Sequence, residues 1–294
     1  MKKLYWAVYV LCSLLLFASC KKAEKHVVVI GSDGFSAEVI AKNPGAFPNI
    51  ESMMKEGSYT LHRRTILPSS SACNWASMLM GASPELHGYT TWSSAKPDLP
   101  PREVGNYKRF PGIFGLVRDQ KPEARTGFFY NWETMACLFD EGSENMKKQG
   151  KDVEIKDAAI QFFKDNNPHL TFIAFGEPDG VGHGTGWMTP EYIAKCKEID
   201  QYVGEIRDAI AKSPIAASTY VLFTSDHGGI GKNHGNKSMA EMESPLVITG
   251  PGVKKGYDIP ESTVIYDTAS TIADVLSLKQ PQVWIGRPIK SIHE

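Results

Sequence analysis

The chain has 294 residues, enough for one large domain or two small ones. Hydrophobic residues make up 42% and charged residues 22%, ordinary proportions for a globular protein. The formal net charge of -1 is uninformative, but no basic block is long enough to form an electrostatic footprint, so binding to a nucleic-acid polymer is not expected.

The N-terminus reads as a processing segment. Lys2 and Lys3 precede an apolar run over residues 4–17, too short for a comfortable membrane span. The run ends in F-A-S-C and resembles a bacterial lipoprotein signal, with Phe17 where Leu is usual. In that pattern Cys20 is acylated and becomes the mature N-terminus. The alternative is an ordinary secretory signal cleaved near Cys20, and either reading implies export. The expected organisation is a signal peptide over residues 1–19, a short tether over 20–25, and one domain over 26–294. The expected location is the bacterial cell envelope, on a lipid anchor. Beyond the tether Cys73, Cys137 and Cys196 remain, odd in number and without CxxC spacing, which argues against a disulfide framework.

Residues 26–30 form an apolar strand followed by G-S-D-G, a loop with Asp33 at its tip. Residues 47–56 read as an amphipathic helix with Pro48 near its start and Gly57 at its end. Residues 59–67 alternate loosely as a strand, and its basic trio His62, Arg63 and Arg64 reads as a solvated strand end. A turn at 68–71 leads into a helix over 74–80, for which Gly81 suits the C-cap. Residues 92–107 form a long irregular loop. A helix over 110–119, a strand over 126–130 and a helix over 153–164 follow. The strand over 170–175 ends in G-E-P-D-G-V-G-H-G. Thr189 caps the next helix with Pro190 in its first position, and an apolar face runs to about residue 212. The strand over 220–224 runs into S-D-H-G-G-I-G-K-N-H-G-N. A strand over 245–249 and a helix over 266–277 complete the order. Strands alternating with helices imply a mainly parallel sheet covered on both faces, hence an α/β domain. Residues 90–150 are the candidate cap excursion.

Three strand ends carry ligand-type residues. Asp33 follows the first strand, Asp179 and His183 follow the strand at 170, and Asp226, His227 and His234 follow the strand at 220. In a parallel sheet these ends share one edge, where open α/β sheets bind ligands. Six carboxylate and imidazole ligands suit two zinc-like ions. Two such ions can stabilise the attacking and leaving oxygens of a phosphoryl displacement. Ser69, Ser70 and Ser71 stand at a helix start, where a serine activated by a metal can act as nucleophile, although serines there also serve as N-caps.

The motifs I-G-S-D-G, L-P-S-S-S-A-C-N-W-A-S-M-L-M-G-A-S-P-E-L-H-G, E-P-D-G-V-G-H-G and T-S-D-H-G-G-I-G-K-N-H-G, in this order, resemble the alkaline phosphatase superfamily. The branch they are most similar to is that of the nucleotide pyrophosphatase/phosphodiesterase-like proteins. The resemblance implies an alkaline-phosphatase-like three-layer sandwich and two divalent metal ions, most often zinc. It implies one ion on Asp179, His183 and His234 and a second on Asp33, Asp226 and His227. It assigns the nucleophile to Ser71, three residues before the Asn of the N-W pair, approaching the second ion.

The sequence departs from the branch in places. The Asn that commonly follows the P-E-x-H-G motif and touches a phosphate oxygen is replaced by Trp92. Asn74, Lys232 or a residue of the long loop are candidates to take over that contact. Trp132 is a candidate for stacking on a substrate ring, and its setting also suits packing at a core edge. His87 and Cys73 read as structural. Ser in place of the usual Thr nucleophile hints at monoesters, and the C/S-x-P-S-R pattern of sulfatases is absent. The expected activity is that of an exported metal-dependent phosphodiesterase acting on a small phosphorylated substrate. A phosphomonoesterase and an inactive binding lipoprotein are the alternatives.

Overall fold

The computed structural model describes residues 24–294. The expected signal segment over residues 1–19 and Cys20 lie outside them. Among the described residues no helix is long and apolar enough to cross a membrane.

The organising strand is β1 (His26–Ser32), buried along its whole length. On one side it pairs in parallel with β5 (Leu170–Phe175), and on the other with β6 (Thr219–Thr224). Both neighbours are also buried throughout, which is why all three read as continuous apolar runs. Beyond β5 lie β3 (Thr126–Tyr130) and then β4 (Met146–Gln149), both parallel. Beyond β6 lie β7 (Glu243–Thr249), antiparallel to its neighbours, then β2 (Ser58–Arg64) and the two-residue β8 (Tyr257–Asp258). The result is one eight-stranded sheet. Alternate residues of β1 point to opposite faces. Val27 and Val29 join one apolar core, while Val28 and Ile30 join the other.

The first core is covered by α3 (Ser71–Met80), α5 (Ile113–Gln120) and α10 (Asp267–Val275). The second is covered by α1 (Ala37–Lys42), α2 (Pro48–Glu56), α6 (Asp152–Asn166) and the long α8 (Pro190–Ala211). The expected caps are present. Thr189 accepts a bond from the Tyr192 amide at 3.4 Å, and Gly81 takes the left-handed conformation at φ 59 after α3. The three-layer α/β architecture expected from the sequence is the one observed.

One local expectation needs correction, and two elements carried no clear signal in the sequence. Arg63 is fully buried, whereas the side chains of His62 and Arg64 are 77% and 41% exposed. A register shift between Thr60 and Arg63 turns only the central member of the basic trio inward. The D-G-V-G-H-G-T stretch forms a short helix, α7 (Asp179–Thr185), although its glycines favour a loop. β4 carries no apolar signal because it is a fully exposed edge strand whose lysines discourage further pairing.

Candidate metal centre and nucleophile

Register brings the ligands together. Ser32 pairs with Phe175, and Gly31 pairs with Thr224, so the carboxyl ends of β1, β5 and β6 lie side by side. Asp33, Asp179 and the Asp226–His227 pair leave the sheet at this edge. The link is reinforced by the Asp179 amide donating to the Asp33 carbonyl at 3.1 Å.

Two groups of ligand atoms result. In one, His227 Nε2 lies 3.3 Å from Asp33 Oδ1 and 3.4 Å from Asp226 Oδ2. In the other, Asp179 Oδ1 lies 3.5 Å from His234 Nε2, and Asp179 Oδ2 lies 3.6 Å from His183 Nε2. The two Nε2 atoms of His183 and His234 face each other at 3.1 Å. Ligands that share one tetrahedral zinc, each about 2.0–2.1 Å from it, stand about 3.4 Å apart. The His227 and His234 rings stack at 3.7 Å, so His227 also falls within reach of Asp179 and His234.

The imidazoles are set for this role by their other nitrogen. His227 Nδ1 meets the Gly228 carbonyl at 2.8 Å, His183 Nδ1 the Lys232 carbonyl at 2.9 Å, and His234 Nδ1 the Ser69 carbonyl at 2.9 Å. A carbonyl only accepts, so each Nδ1 carries the hydrogen and each Nε2 presents a lone pair to the site. Asp226 Oδ1 accepts from the amides of Gly34 and His227 at 3.1 and 3.0 Å, and Asp33 Oδ2 accepts from the Trp75 indole at 3.1 Å. Asp226 Oδ2 and Asp179 Oδ1 are buried with no hydrogen-bond partner. Buried carboxylate oxygens left in this state are costly, and a cation removes the cost. The donor set therefore fits divalent ions.

Protonation equilibria reflect the same crowding. Burial, with Asp33 nearby, pushes Asp179 up to about 7 and Asp226 well above the usual carboxylate range. With no ion bound, burial alone would lower His227, but Asp226 and Asp33 hold it up at about 10, so a proton sits on its Nε2 lone pair until a cation displaces it. Burial and the neighbouring His227 push His234 down to about 4.

The three serines have separate duties. Ser69 Oγ donates to the Asn236 carbonyl at 2.6 Å and accepts from the Gly235 amide at 3.2 Å, tying down the loop that carries His234. Ser70 is the N-cap of α3 and makes no side-chain cap bond. Ser71, the first residue of α3, places its Oγ 3.1 Å from His227 Nε2 and 3.5 Å from Asp33 Oδ1. It is the serine that faces the cluster, at the positive end of the helix dipole.

The remaining candidates divide. Trp92 is 63% exposed, and its carbonyl accepts from the Ala72 amide at 3.2 Å, which sets it over the first turn of α3. Lys232 contributes its backbone to the site through His183, while its Nζ donates to the Gly184 carbonyl at 2.6 Å. Trp132 packs half-buried against the core and enters none of the cluster's hydrogen bonds. Asn74 lies inside the fold. It is fully buried, its Oδ1 accepts from the Ile66 amide at 2.9 Å, and its Nδ2 donates to the Pro68 and Ser70 carbonyls at 3.1 and 3.0 Å. Its side chain is thus occupied in shaping the turn that presents Ser71.

Supporting residues had weaker signals in the sequence. Trp75 follows Asn74 in the N-W pair, yet its bond to Asp33 appears only in three dimensions. Trp187 donates to the Gly34 carbonyl at 3.0 Å and lies against the rings of His183 and His234. A Cβ on Gly229 would come within 2.2 Å of that indole, which explains a glycine there. Asp152 accepts from the amides of Gly176 and Glu177 at 2.9 and 3.1 Å, holding the approach to Asp179.

The sequence pattern of the Type I phosphodiesterase / nucleotide pyrophosphatase family matches residues 27–112 and 116–267. The chain belongs to this family. The resemblance read from the four motifs is therefore correct at the level of superfamily and branch. Human ectonucleotide pyrophosphatase/phosphodiesterase family member 1 is 26% identical over 267 residues, covering 85% of this chain and 29% of that protein. The phosphodiesterase-family chain thus spans about three tenths of that relative's length. Murine ectonucleotide pyrophosphatase/phosphodiesterase 5, an inactive form in complex with AMP, superposes with a TM-score of 0.75 at 15% identity, over 92% of this chain and 100% of that one. A 2-O GAG sulfatase superposes with a TM-score of 0.74 at 14% identity, over 90% of this chain and 73% of that one. Both structural likenesses establish the fold.

Proposed function

We propose that the protein is a metal-dependent phosphoric ester hydrolase, of phosphodiesterase or nucleotide pyrophosphatase type, with Ser71 as its nucleophile. The observation that carries this reading is the convergence beside Ser71 Oγ of three imidazole Nε2 lone pairs and two unpartnered carboxylate oxygens. Asp179, His183 and His234 would hold one ion, and Asp33, Asp226 and His227 the other. Imidazole and carboxylate donors favour zinc. Bound there, divalent ions supply charge stabilisation for phosphoryl oxygens and a lowered pKa for the attacking hydroxyl.

The chain's own groups account for the rest. Ser71 Oγ attacks phosphorus, and the bond to the leaving alcohol or phosphate breaks, giving a seryl ester. Water then attacks phosphorus, the Ser71 O–P bond breaks, and the hydroxyl is restored. The indole of Trp75 holds Asp33, and Asn74 holds the turn, so Oγ is aimed before substrate arrives. The AMP complex of the murine relative supports a nucleotide-like small substrate. A phosphomonoesterase is the second reading. It is favoured by the Ser nucleophile and by Trp92 in place of the phosphate-contacting Asn.

Both cores lean on a single sheet, which supports one catalytic domain over residues 26–294. The N-terminal pattern supports export and lipidation at Cys20. β1 starts just after the expected tether, and the ligands stand at its far end. Seven residues of strand put about 20 Å between the two. The deciding experiment measures metal content alongside hydrolysis of bis-p-nitrophenyl phosphate and p-nitrophenyl phosphate. Zinc-loaded protein should turn over at least one ester, and Ser71→Ala should abolish it with metal retained. Zinc-loaded protein that hydrolyses neither would leave the inactive binding lipoprotein as the better reading.

A further inference from the structure

We propose that Arg63 is a positioning residue for one half of the centre, holding the backbone from which Asp226 and His227 project. The inference rests on the reading that Asp33, Asp226 and His227 bind an ion. Arg63 lies fully buried near the end of β2. Its Nη2 donates to the Ser225 carbonyl at 2.6 Å and to Ser244 Oγ at 2.9 Å. Its Nε donates to Ser244 Oγ at 3.2 Å, and its Nη1 to Thr268 Oγ1 at 3.0 Å. One guanidinium therefore links β2, the end of β6, β7 and α10.

These acceptors are all uncharged, and none of the ion pairs among the described residues includes Arg63. The charges of Asp267 and Asp226 lie close enough to offset part of the burial, yet a buried cation whose direct hydrogen bonds all go to neutral groups is expensive compared with an apolar side chain of similar size. The Ser225 carbonyl offers a reason for its presence. Ser225 immediately precedes Asp226, and Ser225 Oγ donates to the His227 carbonyl at 2.9 Å. Fixing Ser225 thus fixes the backbone on both sides of the Asp226 carboxylate. The other ligand group depends on different supports. Asp179 and His183 stand on α7, and His234 is tied to Ser69. Arg63 bonds to none of these, so its influence falls on one half of the centre.

The test is a zinc titration of chelator-stripped protein, followed calorimetrically, for the wild type, Arg63→Gln and Arg63→Lys. The wild type should bind two ions. Arg63→Gln should bind one with unchanged affinity and the other about 10–100-fold more weakly, the range seen when a partner of a metal ligand is lost. Arg63→Lys, which keeps the charge and can reach one acceptor, should show the same split with a smaller loss. A general loss of packing would instead weaken both ions together or lower only the melting temperature, and either result overturns the inference. If Arg63→Gln does not fold, the split in Arg63→Lys decides. A wild type that binds no zinc overturns the metal-centre reading and this inference with it. Two ions in the wild type with no split in the variants overturn the inference alone.

Discussion

Asp140→Asn should remove a stability loss that the wild type suffers as pH rises. Asp140 is 2% exposed, and its Oδ2 accepts from the Gly115 amide at 2.8 Å, with the Gly112 amide also donating to the carboxylate. Both amides belong to the unpaired start of α5, so the carboxylate caps that helix from a distance. Burial outweighs these bonds and pushes Asp140 from 3.8 up to about 6. The folded state therefore binds this proton more tightly than the unfolded state. The stabilisation is complete below the unfolded value near 3.8 and is lost as pH rises through about 6. A shift of about two units corresponds to about 3 kcal/mol, with roughly half of the loss falling between pH 5 and 7.5. Asparagine retains an oxygen for the two amides and does not titrate. Urea unfolding of both proteins across pH 5 to 7.5 should show the wild type losing about 1.5 kcal/mol relative to the variant. A constant difference between the two curves would refute the assignment of this proton to Asp140.

Other outcomes concern the centre. His234→Ala should bind one zinc with near-normal affinity and lose the other, whereas His227→Ala should lose the ion that Asp33 and Asp226 share and keep the ion lost in His234→Ala. Equilibrium dialysis distinguishes them, and equal loss of both ions in His234→Ala would count against the division. Asn74→Ala should destabilise the fold by about 1–3 kcal/mol, because the buried Ile66 amide loses its partner, while the Pro68 and Ser70 carbonyls keep backbone donors. Its KM should stay near the wild-type value, and a large rise in KM with intact stability would restore Asn74 as a substrate contact. Cys20→Ser should release the protein from the membrane fraction, and continued sedimentation with membranes would refute lipidation at that residue.

Much of this architecture was legible because it depends on local chemistry. The runs that became β1, β5 and β6 are apolar throughout, as strands covered on both faces must be. Ligand-type residues at their ends needed only a parallel sheet to come together. Trp187, by contrast, gave no signal, since its bond to Gly34 spans 153 positions. Asn74 was ambiguous for the opposite reason. An Asn near a nucleophile suggests substrate contact, and only the carbonyls of Pro68 and Ser70 reveal that its amide is already engaged.

Six of the strands, their alternation with helices and the ligand types at the ends of β1, β5 and β6 were written in the chain, because periodicity and residue chemistry act over a few neighbours. Folding settled the relations between distant residues. The hydrogen on each imidazole depends on the carbonyls of Gly228, Lys232 and Ser69, two of which lie far from their histidine in sequence. Ser71 is distinguished from Ser69 and Ser70 by the direction its side chain takes at the start of α3. Arg63 is drawn inside by a register shift that places three neutral acceptors around it. Hydrogen bonding is short-ranged and directional, so these outcomes exist only once the sheet has brought its partners within about 3 Å.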